Sequence, residues 1–318
     1  MPLDTYLKHP FMVNGMSTPD MSMSAEDFKG GVLGFFVQMK RMYDIRDDVQ
    51  KVRIATENRE RGMPFATEGL YSKSLKAIEK DIIKKLELQL KTQPVYVEWL
   101  ANVDGIGATL AAGWISNIMI AYRPLESPTE TQQKFAMKTR GGAIIYPTIR
   151  GIGAFPTISK LWKFSGQDVV EGEAPARARG EKLGRNPKLR TLAWKTSRAF
   201  KRLKRGHYWE LYQKAKQEIL AGRYGEALKD PTTCYRYEKC KAKMHRAAER
   251  LGREPKKLPC KLHIDNMAAR KAVKQFIADL WVKWRTIEGL PITGTYEHEV
   301  LQHKHSEEAS DILRTEMS

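Results

Sequence analysis

Between Arg177 and Arg205 the chain carries twelve basic residues (Arg177, Arg179, Lys182, Arg185, Lys188, Arg190, Lys195, Arg198, Lys201, Arg202, Lys204 and Arg205) against one acid, Glu181. That is a net +11 out of a formal +18 for the whole chain. Charge packed this densely repels itself, so a fold can hold it only along a solvated face or against a polyanion. Soluble helix faces normally mix both signs, and this block does not. Nucleic acid is the polyanion that fits, because each phosphate met by Lys or Arg releases condensed counterions and gives salt-sensitive, sequence-independent affinity.

The remaining composition allows a real core. With 318 residues, 42% of them hydrophobic, and seven Trp, the chain can bury enough apolar surface for two or three compact units. No stretch approaches the ~20 uninterrupted apolar residues of a membrane helix, and the amino terminus lacks a charged-then-apolar leader. The expected setting is therefore the cytoplasm or nucleoid, with no membrane partner. Three cysteines are too few and too odd in number for a secreted disulfide framework.

Periodicity divides the chain into five parts. Residues 1–26, rich in Met, Ser and Pro, read as a flexible arm. Over 27–93, Phe35, Met39, Met42, Val49 and Val52, and then Leu75, Ile78, Ile82 and Leu86, recur at helical spacing on either side of a break at Gly62-Met63-Pro64. This predicts a helical hairpin or coiled-coil arm, able to pair with a second copy of the chain. Residues 94–230 form a helix-hairpin-helix and basic domain, in which 122–152 read as loop and turn and Leu192 to Leu220 as helix. Residues 231–291 hold every cysteine and a long helix, with Phe276, Ile277, Leu280, Trp281, Trp284 and Ile287 on one stripe up to Gly289 and Pro291. A tail, 292–318, carries His298, His303 and His305 as exposed side chains. The fold class is mainly α.

Two constellations carry chemistry. Leu100 to Ala112 fits a helix-hairpin-helix in which Gly105, Ile106 and Gly107 form the turn and a second helix starts near Ala108 and Thr109. Glycines let backbone approach a phosphate, and the free N–H groups of the turn and helix start can donate to it. Gly151-Ile152-Gly153 lacks the helical pattern downstream and reads as an ordinary turn. Cys234, Cys240, Cys260 and His263 are three thiols and an imidazole within a short window, the complement of a structural zinc site, with His245 as the alternative nitrogen. Buried free cysteine is the competing reading. Acids gather only at Asp168, Glu171 and Glu173, read as solvated loop charges.

From Val95 to about Pro291 the order of motifs resembles the carboxy-terminal half of the DEDD-type, RuvC-like insertion-sequence transposases. The residues carrying the likeness are Val103-Asp104-Gly105-Ile106-Gly107, Phe155-Pro156-Thr157 with Leu161-Trp162-Lys163-Phe164-Ser165-Gly166, and Arg179 through Arg190. The helix before Pro94 is similar to the coiled coil that precedes this domain in the family. The resemblance implies DNA binding in transposition or recombination. Two departures accompany it: the first ~95 residues leave no room for the RuvC-like domain, and no Ser, Thr or Tyr stands between Gly166 and Arg190, where the family's serine nucleophile is expected. Ser165 and Ser197 flank that segment, Ser165 being the one catalytic candidate.

The resulting expectation is a DNA-binding protein without a complete catalytic site. Its DNA-facing residues are Gly105 to Thr109 together with Arg177, Arg179, Lys182, Arg185, Asn186, Lys188, Arg190, Lys195 and Arg198. The alternatives are a serine-type transposase working with a separate RuvC-like nuclease subunit, and a structured-RNA-binding module, since charge alone does not separate RNA from DNA.

Overall fold

A computed structural model of the chain describes residues 31–62, 69–139, 141–169, 184–222, 224, 225, 230, 232, 237–252 and 261–293. The predicted amino-terminal arm, the histidines of the tail, and most of the break at Gly62-Met63-Pro64 lie outside the described residues. The fold is mainly helical, as the periodicity implied, and divides into two compact units: 1–101 with 107–154, and 102–106 with 155–318.

The first unit opens with α1 (Gly31–Glu60) and α2 (Leu70–Leu90), which pack against each other as a hairpin. Glu60, in the last turn of α1, accepts hydrogen bonds from the N–H groups of Tyr71 (3.1 Å) and Ser72 (3.2 Å) and so caps the start of α2. Only one end of the hairpin follows the expected apolar stripe. Phe35 and Met39 are buried, whereas Val52 is 53% exposed. Farther out the helices are joined by charge: the buried Glu79 carboxylate on α2 meets Arg46 Nη2 at 2.7 Å and Arg53 Nε at 2.8 Å. Beyond α2 come α3 (Pro94–Glu98), a short 3-10 turn (Leu100–Asn102) and α4 (Ala108–Met119). Helix α4 is nearly all buried, with Trp114, Ile115 and Ile118 at its centre, and both α1 and α2 pack on it.

Residues 122–152, expected as loop and turn, instead hold most of a small antiparallel sheet. Its strands are β1 (Ile120–Arg123), β2 (Met137–Lys138) and β3 (Ile144–Ile149), in the order β1-β3-β2. Ile120 faces Ile149, and Met137 faces Ile145. Pro147 lies beyond the end of β2, where β3 has a partner on one side only, and a residue without an N–H is tolerated at such an edge. Between β1 and β2 sits α5 (Glu130–Lys134), started by a capping box in which Thr129 and Gln132 exchange side-chain and backbone hydrogen bonds. Arg150 closes the unit. Its guanidinium donates to the carbonyls of Asn117 (2.7 Å), Ile118 (3.2 Å) and Ile120 (3.3 Å), serving the unpaired end of α4, and burial pushes it down to about 10.

The second unit consists of α6 (Ile158–Phe164), α7 (Pro187–Leu203), α8 (His207–Ala221), α9 (Tyr237–Leu251) and α10 (Lys261–Ile287). The stripe predicted for α10 is its core: Phe276, Ile277, Leu280, Trp281 and Trp284 are buried and Ile287 half-buried. Helices α6, α7 and α8 all pack on α10. Opposite Tyr212, Ala215 and Ile219 of α8, the helix presents Ala268, Ala269 and Ala272, small enough for close approach. At the other end Trp281 Nε1 donates to the Phe155 carbonyl at 2.7 Å and Arg285 Nη1 to the same oxygen at 3.2 Å.

Tyr208 donates its hydroxyl to Asp279 at 2.7 Å and Gln275 donates its amide to the other carboxylate oxygen at 2.8 Å. Burial raises Asp279, and the two hydrogen bonds only partly offset it. A carboxyl raised in the folded state favours folding while protonated and loses that contribution as pH rises through its folded value. Asp279→Asn is therefore expected to melt at or above the wild-type temperature at pH 8, with the difference vanishing as pH falls through the carboxylate range. A pair of thermal melts across pH checks it.

Candidate nucleic-acid interface

Helix α7 carries the described part of the basic block. Asn186 caps it, its side-chain oxygen accepting from the N–H groups of Lys188 (2.9 Å) and Leu189 (3.4 Å), and Pro187 occupies the first turn, where its missing N–H costs nothing. Leu189, Leu192, Ala193, Thr196, Ser197 and Phe200 recur at steps of one, three and four and face inward. The same period sends Lys188, Thr191, Lys195, Arg198 and Arg202 to the opposite side, all exposed or half-exposed. Among them stands Trp194, 55% exposed, with the Arg198 guanidinium 5.1 Å from its ring centre. An exposed aromatic among cations is the side-chain set that stacks on bases while holding a phosphate chain.

Helical phase sorts the block. Lys201 turns inward to Asp265, which also accepts from the Tyr212 hydroxyl, with Lys216 Nζ 3.7 Å away. Burial disfavours charge on Asp265, but the hydrogen bonds from Lys201 and Tyr212 and the fields of Lys201 and Lys216 outweigh it and hold the carboxyl below its ordinary range. Arg185 and Arg190 run beside the turn at Gly166. Arg177, Arg179 and Lys182 lie outside the described residues.

The single helix expected from Leu192 to Leu220 is broken. Lys204 adopts a left-handed backbone (φ 56°), and Gly206 a positive φ of 81°, so α7 ends and α8 starts at a new angle. A Cβ on Gly206 would stand 2.6 Å from Cβ and Oδ2 of Asp104, and Arg205 Nε donates to Asp104 Oδ1 at 3.2 Å. Gly105, at φ 91°, leaves room for Phe200, whose Cδ1 would lie 3.1 Å from an added Cβ. Asp104 and Gly105 are thus packing residues of the α7–α8 turn.

The predicted hairpin is present with a shorter first arm: α3 and the 3-10 turn stand where one helix was expected, because Glu98-Trp99 interrupts the backbone ladder. The second helix begins at Ala108, as read from the sequence. Gly107 differs from Gly105. Its backbone is ordinary and extended (φ −87°, ψ 173°), nothing among the described residues lies within 4 Å of an added Cβ, and the residue is exposed. Internal packing does not require glycine at 107. Ile106 is buried, and Ala108 and Thr109 are half-buried in the first turn of α4.

Cys240 lies in the first turn of α9 and His263 in the first turn of α10, its ring 6.1 Å from that of Tyr224. Cys234 and Cys260 fall outside the described residues, and among the described residues no group of His, Cys, Asp and Glu assembles as a metal set. Ser165 is fully buried at the end of α6, its hydroxyl donating to the Trp162 carbonyl at 3.1 Å; Ser197 does the same to Trp194 at 2.8 Å. Asp168 is no solvated loop charge: one carboxylate oxygen is buried, and its carbonyl accepts from Arg270 Nη2 at 2.5 Å.

Trp194 and Arg270 escaped the sequence reading, which has Asp168 only as a loop charge. Trp194 alone left a signal, since it falls on the polar side of the α7 period; the other two meet only through the fold. No family model matches the chain, and no curated protein or solved structure matches it.

The Gly206 turn makes a sharp test. Gly206→Ala must carry a positive φ and a Cβ into Asp104, so it is expected to destabilise the second unit by roughly 2 kcal/mol or more in denaturant unfolding. Gly107→Ala should leave stability within about 0.5 kcal/mol of wild type.

Proposed function

We propose that this chain binds nucleic acid, duplex DNA first, through the outward face of α7, in the manner of the transposase-like domain that its motifs resemble. The observation that carries the reading is the basic outer face of α7: Lys188, Arg198 and Arg202 are exposed and Lys195 half-exposed, with Trp194 among them. Gly107, which no contact among the described residues explains, supports a second backbone contact at the start of α4. Inward-facing Ser165 and Ser197, each hydroxyl committed to a carbonyl, favour binding over serine-based strand transfer. The exposed Trp194 also favours a second reading, recognition of unpaired bases as in structured RNA, because stacking needs a free base face. Ile45 and Val52, a heptad apart on α1 and both exposed, support pairing of two copies through the arm. Among the described residues no helix is long and apolar enough to cross a membrane.

Binding dominated by phosphate contacts falls steeply with salt. The combined variant Lys195→Gln, Arg198→Gln, Arg202→Gln is expected to flatten the plot of log affinity against log salt by about 3 units between ~50 and ~200 mM. Fluorescence anisotropy on a duplex measures it, and an affinity indifferent to salt would sink the reading. Trp194→Ala should weaken single-stranded binding by about 1–3 kcal/mol and duplex binding by less.

Zinc on Cys234, Cys240, Cys260 and His263 belongs to the same proposal, supported by two of the four residues starting neighbouring helices in the chain. Elemental analysis of the purified protein should find about one zinc per chain, and a chelator should lower its melting temperature.

A further inference from the structure

Two apolar stripes of the hairpin are left over once its own seam is filled. On α1, Met42, Ile45, Val49 and Val52 follow at steps of three and four, and on α2, Tyr71, Leu75, Ile78 and Ile82 do the same. That is the spacing of a coiled-coil seam. The seam between these two helices is nevertheless held by other residues, Arg46 and Arg53 on Glu79, with Glu60 over the start of α2. Ile45, Val52, Tyr71 and Ile78 are each half or more exposed, and the other four of the stripes are half-exposed. Single exposed apolar residues are ordinary on a surface; eight in register on paired helices are not.

Helical phase puts both stripes on one face of the hairpin. At about 100° per residue, the α1 stripe lies about 70° behind the line of Arg46 and Arg53, and the α2 stripe about 70° behind Glu79, in the same sense along the chain. The helices run antiparallel, since Arg46 and Arg53 meet Glu79 while Glu60 meets Tyr71. In antiparallel partners, equal offsets of one sense fall on the same side of the pair. Lys40 lies on the other side of the α1 seam line and reaches Asn117 of α4, so the apolar face is the one turned away from α4. Its two outer flanks differ in sign. Asp44 and Asp48 border Ile45, and Lys84 and Lys85 border Ile82. Asp48 meets Lys51 (2.8 Å) and Lys85 meets Asp81 (2.9 Å) on their own helices, but these are fully exposed pairs that cost little to rearrange.

We infer that the joint face of α1 and α2 packs on the same face of a second copy as a four-helix bundle, with α1 of each copy against α2 of the other and both hairpins pointing the same way. The heptad spacing fits one such surface into its equivalent, and an isologous contact closes at two copies. Charge selects the orientation. Setting α1 on α1 would bring Asp44 and Asp48 onto their equivalents, whereas setting α1 on α2 gives them Lys84 and Lys85. Because the hairpins point the same way, Ile45 and Val52 stand level with Ile78 of the second copy, as Arg46 and Arg53 stand level with Glu79 within one chain. The inference rests on the reading that the arm pairs two copies, and supplies the second helix, the orientation and the stoichiometry.

Sedimentation velocity and photo-crosslinking test it. The full chain should sediment as a dimer whose Kd rises at least about tenfold in the double variant Ile45→Gln, Ile78→Gln. In Ile54→Gln, an exposed residue nearly half a turn round α1 from the stripe, the Kd should stay within about twofold. Should the double variant fail to give a cooperative melt, Val52→Gln is read in its place. A benzoylphenylalanine at position 52 should give a covalent dimer linked to residues 71–85 of the other copy, told from links within one chain by mixing nitrogen-15-labelled and unlabelled protein. A dimer linked instead to residues 42–56 overturns the orientation and leaves pairing through the arm standing. A monomer at ~50 μM, a dimer indifferent to the double variant, or a link to residues 1–30 of the same chain overturns both.

Discussion

Helix α10 is the element from which the second unit is hung. Its aromatic stripe must be covered on several sides, and α6, α7 and α8 do the covering. Once Leu189, Leu192 and Phe200 are committed to that core, the 3.6-residue period leaves α7 no freedom: every third or fourth residue on the far side is in water. The basic face is therefore a consequence of apolar packing. Its charge does not hold the helix in place; the hydrophobic side does, and the cations are carried outward by it.

Both units treat interior cations alike. In the first, Lys40 Nζ lies 2.6 Å from Asn117 Oδ1, Arg150 serves the carbonyls ending α4, and Arg46 and Arg53 share Glu79. In the second, Lys201 meets Asp265 and Arg285 donates to Phe155 and Pro291. Each of these buried or half-buried charges is matched to oxygen, as the cost of desolvating an ion demands.

The parts of the fold legible in the sequence are those fixed by local period: α7, α10, the two helices of the hairpin, and the start of α4. Three features escaped for physical reasons. The sheet is built from strands too short for alternation to register, and Pro147 argues against a strand until its one-sided pairing is seen. The break between α7 and α8 needed Asp104, about a hundred residues upstream, to show why Gly206 turns there. The outer hairpin has apolar residues at helical spacing, yet Val52 and Ile78 stay exposed because Arg46, Arg53 and Glu79 occupy the seam. Of the candidate site, the charge was legible and its sorting was not: which cations face water depends on helix phase, and the meeting of Asp168 with Arg270 depends on packing alone.

Residues 102–106 belong with the second unit although the chain on both sides of them belongs with the first. The polypeptide thus passes into the second unit, returns, and enters it again at 155. A protease that nicked the chain between 154 and 155 would cut one of three crossings and leave those at 101–102 and 106–107, with Asp104 still seated over Gly206 and Gly105 against Phe200. No single cut of the chain therefore yields both units whole.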